Sequence, residues 1–155
     1  MSYFESLLNT YIENEWDHTV IEDEQIIFMR VQTNISECTL VTTSDEEQGF
    51  IHAFVRLAQY CPLEKRKNAT HLINRLNFLI NMGTWILDEQ DGETRFRIIQ
   101  AYLKPPTTQE IELLLSLVFS GHDSFADELR NYFEGNTNFE ETLIALNGLF
   151  GSAAD

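Results

Sequence analysis

The sequence predicts an α+β fold, a two-layer sandwich in which helices pack on an antiparallel sheet, and three observations carry that expectation. Strand-like segments come as a group of three and a group of two with a helical stretch between them. They therefore do not alternate one-for-one with helices, as a doubly wound parallel sheet requires. The connections within each group are too short for a parallel crossover and suit antiparallel pairing. Capping pairs of the Ser/Thr-x-x-Glu kind mark where helices start.

Ser2 with Glu5 is the first such pair, and Phe4, Leu7, Leu8, Tyr11 and Ile12 then recur at helical spacing, which predicts a helix to about Trp16. Residues 26–33, 37–44 and 50–59 are rich in Ile, Val, Thr and Phe and are parted by polar stretches, so they predict a three-stranded meander. Pro62 ends the last strand and suits the opening of a helix. Ala69, Leu72, Ile73, Leu76, Leu79 and Ile80 form the apolar stripe of that helix, which should stop before Gly83. Strands over 84–88 and 94–102 flank Asp91-Gly92, a strong hairpin signal. Pro105-Pro106 breaks the chain, and Thr107 with Glu110 starts a helix over 109–120. Gly121 should interrupt it, Ser124 should cap a further helix to about Glu134, and Thr137 with Glu140 should open a last one through Leu146. The order is helix, three strands, helix, two strands, helix, helix. It fits one domain over residues 1–155, with 148–155 as a frayed tail.

Composition narrows the function classes. The hydrophobic share is 43%, with eleven Phe, five Tyr and two Trp, enough for a real core. No apolar run approaches the ~20 residues a membrane-spanning helix needs, and residues 1–16 carry three Glu and no basic residue, unlike a secretory signal. Cys38 and Cys61 do not make a disulfide framework. These features point to a cytoplasmic protein. A net charge of −15 argues against nucleic-acid and anionic-membrane partners, which need clustered cations. The charge is uneven: residues 61–104 hold seven bases against five acids, within an otherwise acidic chain.

Asn74-Arg75-Leu76-Asn77, then Gly83-Thr84-Trp85-Ile86-Leu87-Asp88, then Asp91-Gly92-Glu93-Thr94-Arg95-Phe96-Arg97, in this element order, resemble the YbjN family. That family is catalogued as candidate bacterial sensory-transduction regulators. Its pattern has an Asn-bearing second helix, a Gly, an aromatic, a Leu-Asp … Asp-Gly hairpin and a strand of Arg-Phe-Arg type. The resemblance implies a sandwich like that of type III secretion chaperones, often dimeric, with a chaperone-like or regulatory role. It implies no cofactor and carries no catalytic residues to this chain.

Catalytic and metal motifs are weak. His18, His52, His71 and His122 show no i, i+3 or i, i+4 pairing, and no C-x-x-C accompanies the two cysteines, so no local metal site is predicted. The acidic hairpin Asp88-Glu89-Gln90-Asp91-Gly92-Glu93 lacks EF-hand spacing and reads as a solvated turn. No nucleophile elbow, P-loop or dinucleotide fingerprint is present.

Binding surfaces give more. On the helix over 109–120, Ile111, Leu113, Leu114, Leu115, Leu117, Val118 and Phe119 are apolar on more than one face. A helix on a sheet needs one stripe, so the surplus must meet a partner subunit or the helices that follow. Leu114, Val118 and Phe119 are the candidate dimer residues. Phe78 falls outside the stripe of its helix and is a candidate contact. Lys65, Arg66 and Lys67 occupy a first helical turn, where the dipole disfavours cations by about 0.3–1 kcal/mol each, so either solvation alone accommodates them or an acidic neighbour, subunit or client offsets them as candidate binding residues. Asn77 is expected to bond a nearby backbone group. The reading is a non-catalytic homodimer that captures a client protein segment. The competing reading is a small-molecule sensor or enzyme with a cavity between sheet and helices, lined by Trp85 and Phe96.

Overall fold

A computed structural model describes residues 1–34 and 36–151, with the backbone alone at 150 and 151. Helix α1 spans Tyr3–Glu13 and opens on the expected capping box, Ser2 Oγ accepting from the Glu5 amide at 3.0 Å while Glu5 accepts from the Ser2 amide at 2.7 Å. A second carboxylate supports this turn: Glu46 accepts from the Tyr3 and Phe4 amides at 3.0 and 2.8 Å. Strands β1 (Thr19–Ile21), β2 (Ile26–Gln32), β3 (Glu37–Asp45) and β4 (Phe50–Arg56) follow, each antiparallel to its predecessor. After α2 (Arg66–Leu79) come the hairpin β5 (Thr84–Leu87) and β6 (Thr94–Ala101), then α3 (Thr108–Glu134) and α4 (Phe139–Gly151). The expected α+β class, meander and Asp-Gly hairpin are all present.

The six strands form one antiparallel sheet in the order β1-β2-β3-β4-β6-β5. Its middle joins the meander to the hairpin, with β4 and β6 in register from Phe50 opposite Ala101 to Arg56 opposite Arg95. Because side chains alternate along a strand, Ile27, Leu40, Ile51, Ala53, Val55, Phe96 and Ile98 share one face. Those residues form a single core cluster with Leu7 and Tyr11 of α1, Leu72 and Leu76 of α2, and Ile111, Val118 and Leu129 of α3. Each large side chain buried this way contributes about 1.5–3 kcal/mol relative to exposure. Val41 and Phe54 are also buried, but they point to the opposite face and lie outside that cluster. The helices therefore cover one side of the sheet and leave the other open.

Three expectations need correction. The sheet has a sixth strand, β1, which three residues without apolar alternation did not announce. Gly121 does not break a helix: α3 runs unbroken from Thr108 to Glu134, and the Ser124 hydroxyl donates to the Ser120 carbonyl within it. The glycine serves packing instead. A Cβ there would stand 2.2 Å from the Phe96 ring, and one at Gly83, on the ring's other neighbour, 2.3 Å from it. The last helix is capped one residue later than expected, by Asn138 with Glu141, whose side chains and amides exchange bonds of 2.9 and 3.2 Å. It continues to Gly151, so 148–151 of the expected tail is helical, while 152–155 lies outside the described residues.

The outer strand β5 is closed by a side chain. Asn77 accepts from the Trp85 amide at 2.8 Å and donates to the Trp85 carbonyl at 2.9 Å, taking the place of a neighbouring strand.

Candidate functional site

Helix α3 is fixed at its start by Thr107 and Glu110, which exchange capping bonds of 3.2 and 2.8 Å. The end of α1 is tied to it: Thr108 donates to Glu13 at 2.7 Å and Asn14 to Glu112 at 2.9 Å. With α3 so placed, Ile111, Leu114, Leu115 and Val118 are buried against the sheet and α1. Leu114 and Val118 are thus buried in the core, Leu114 also reaching the floor of the groove beside α3, and Phe119 is half-buried against the same core. The surplus apolar surface exists, but it is carried by their neighbours. Leu113 is 61% exposed and Leu117, one turn on, 37% exposed. Together with Met82, Ile98, Tyr102 and Glu110 they line an open groove of about 310 Å³ between α3 and β6. Helix α4 packs instead on α3 and α2, and among the described residues the groove stays open.

The basic cluster is mostly consumed within the chain. Arg66 donates to the carbonyls of Cys61, Glu89, Gln90 and Asp91 at 3.0, 3.2, 2.9 and 2.9 Å, clamping the β5–β6 turn to the start of α2. Lys65 donates to the Tyr132 carbonyl at 2.6 Å, at the C-terminal end of α3 where the helix dipole favours a cation. Backbone carbonyls, and not an acidic partner, offset these two charges. Lys67 is exposed. Phe78 is 78% exposed on the outside of α2, where Arg75 lies 5.6 Å above its ring and is held by Asn147. It does not line the groove.

Titratable side chains offer little for catalysis. Burial pushes the Cys38 and Cys61 thiols up to about 11, so both are protonated and weakly nucleophilic at neutral pH. His122 is fully buried, with Nδ1 2.9 Å from Asp123. Asp88 and Asp91 of the acidic hairpin accept from the Gln90 and Glu93 amides at 2.8 Å each, which is turn chemistry. Among the described residues no three His, Cys, Asp or Glu converge on a metal position. The space expected to hold a ligand beside Trp85 and Phe96 is filled: their rings lie 5.4 Å apart, and Phe96 is pressed between Gly83 and Gly121.

The open face of the sheet was missed from sequence. Register places Arg30, Thr39, Arg56, Arg95 and Ile86 in one row across β2, β3, β4, β6 and β5. The next row on the same face reads Phe28, Val41, Phe54, Arg97 and Thr84, and the one beyond it carries Ile26, Thr43, His52 and Ile99. Arg95 stacks 4.2 Å over the Phe54 ring and pairs with Glu93, and Arg30 is 3.9 Å from Glu37. Among the described residues neither Arg56 nor Arg97 has an ion-pair partner, and the Arg56 Nε is buried with no acceptor. Beside Arg30 and Arg56 the face dips into a cleft of about 440 Å³ walled by Glu37, Leu57 and Tyr60. Alternation in Arg95-Phe96-Arg97 was the one local sign of this face. The cross-strand row is invisible without register.

Among solved structures the fold is similar to that of YbjN from E. coli, a candidate transcription regulator, with a TM-score of 0.68 at 8% identity. The match covers 83% of this chain and 92% of that one. It shows the expected YbjN-like α+β fold. No family model matches the chain, and no curated protein does.

Proposed function

We propose that this chain is a non-catalytic regulatory or chaperone-like module that forms a homodimer and captures a segment of a client protein. The observation that supports it most is the uncovered groove between α3 and β6, where Met82, Leu113 and Leu117 stand in water although Ile111, Leu115 and Val118 of the same helix are packed. Burying each such side chain returns about 1.5–3 kcal/mol, and a second copy brings the same apolar surface to the contact. Protonated, buried thiols and scattered histidines are in keeping with a role other than catalysis. Free thiols fit a reducing cytoplasm. Likeness in fold to a candidate regulator agrees with a regulatory task. Among the described residues no helix is long and apolar enough to cross a membrane.

Light scattering across a wide concentration range tests the assembly. The unaltered protein should scatter as a dimer. Leu113→Glu should be monomeric and still fold cooperatively, its thermal midpoint lowered only by the stabilisation that assembly supplies, because its side chain faces solvent in the isolated chain. Leu114→Glu should instead lose about 3 kcal/mol or more of stability, because it buries an unpaired charge. An unaltered protein that is monomeric throughout, or a Leu113→Glu variant that dimerises normally, overturns the homodimer.

A further inference from the structure

We infer that the open sheet face is the client site and that the segment it takes is extended and acidic, its carboxylates meeting Arg30, Arg56, Arg95 and Arg97. This rests on the protein-binding reading above and names the partner's chemistry. The chain has only ten Lys and Arg against a net charge of −15, yet four of the ten stand on this one face. Arg56 lies directly opposite Arg95, a like-charge arrangement that destabilises a sheet, and while Glu93 pairs with Arg95, no carboxylate of the described residues pairs with Arg56. Arg56 has the further cost of a buried Nε without an acceptor. A guanidinium is best satisfied by a carboxylate taken with two hydrogen bonds. The apolar row Phe28, Val41 and Phe54 runs alongside for the segment's other side chains.

Spacing agrees with an extended segment. From β2 to β6 the arginine row crosses three strand intervals, about 14 Å in all, while alternate residues of an extended chain repeat about every 7 Å. Acidic residues at every second position thus span the row. The sheet edges do not compete for such a segment: β1 is three residues long, and Asn77 already occupies the outward groups of Trp85. A nucleic-acid strand has the right sign of charge. The strongly negative molecule repels a long polyanion, however, and a short carboxylate segment needs only a few contacts.

Fluorescence anisotropy decides it, using a labelled peptide alternating Glu with Val, its Lys-for-Glu counterpart and labelled oligothymidylate. The Glu peptide should bind, weaken with salt and lose about tenfold or more in affinity in the double variant Arg56→Gln, Arg97→Gln. Thermal melting and light scattering should find that variant folded and assembled as before. Arg30→Gln, at a side chain 84% exposed, is the second variant and should weaken binding by about threefold without affecting folding. The Lys peptide should not bind. Absence of Glu-peptide binding, binding indifferent to both variants, or tighter binding of oligothymidylate overturns the assignment. The Leu113→Glu variant separates the two proposals. If assembly depends on Leu113 but no peptide binds, only the client site fails. If the protein is monomeric yet binds through its arginines, only the assembly fails.

Discussion

His122 lies fully buried with its ring 5.8 Å from that of Trp85, and its Nε2 meets no acceptor or donor. Burial lowers its pKa, and the bond to Asp123 opposes that shift only in part. In the unfolded chain an ordinary histidine takes up its proton near pH 6.5. Between that value and the lower folded one the unfolded state holds more protons, so stability is complete above about pH 6.5 and is lost as the pH falls. The thermal midpoint should therefore drop on acidification from about pH 7 towards pH 5, and His122→Phe, which keeps a ring beside Trp85, should flatten much of that slope. His52 is shifted the same way, by burial and then by Arg97 and Arg95, and should leave a residual slope of the same sign. A variant with the full slope would show that the proton goes elsewhere. Single residues were legible where chemistry is local. Asn77 does bond the backbone, and Phe78 is exposed. The burial of Leu114 and Val118 was not legible because the phase of an apolar helix is set by what lies on each side of it, and only the fold puts α1 and the sheet there. The partners of Arg66 were hidden for a related reason: three of its four carbonyls come from the β5–β6 turn, on the far side of α2 and β5 in sequence.

Among the elements, β5 depends most on a single side chain. Removing the Asn77 amide leaves the Trp85 amide and carbonyl unpaired beside α2, at a cost of about 1–3 kcal/mol. Asn77→Ala should unfold at lower urea by that amount, and the Trp85 amide should lose its protection from hydrogen exchange first. Equal protection in both proteins would mean that β5 is held by its pairing to β6 alone. Elements with their own signals were readable from the chain: the capping boxes of α1 and α3, the meander and the Asp-Gly turn. Helix α3 was cut in two because a glycine usually ends a helix. The apolar period of Ile111, Leu115, Val118, His122, Phe125, Leu129 and Tyr132 nevertheless crosses Gly121 without a change of phase. That continuity, and not the glycine, was the better guide. Strand β1 had no comparable signal, since three residues are too few to show a period, and pairing to β2 with the packing of Val20 holds it.

At the scale of the whole molecule, acidic charge on the helical layer and loops opposes a net of −15 to itself. Raising sodium chloride from about 10 to about 200 mM screens this repulsion and should lift the thermal midpoint by about 2–4 °C, or about 1 kcal/mol. A fall in the midpoint would mean that the few surface ion pairs outweigh the repulsion, contrary to their usual size. The order of strands was not legible, because the pairing of β4 with β6 joins segments separated by all of α2 and β5. The same seam matters during synthesis. As the nascent chain leaves the ribosome, β2, β3 and β4 can pair at once, but Phe50–Arg56 keeps a bare, largely apolar edge until β6 has been made. A pause in translation between the two halves prolongs that exposure, so the interval between β4 and β6 is where a chaperone of the cell's own is most needed.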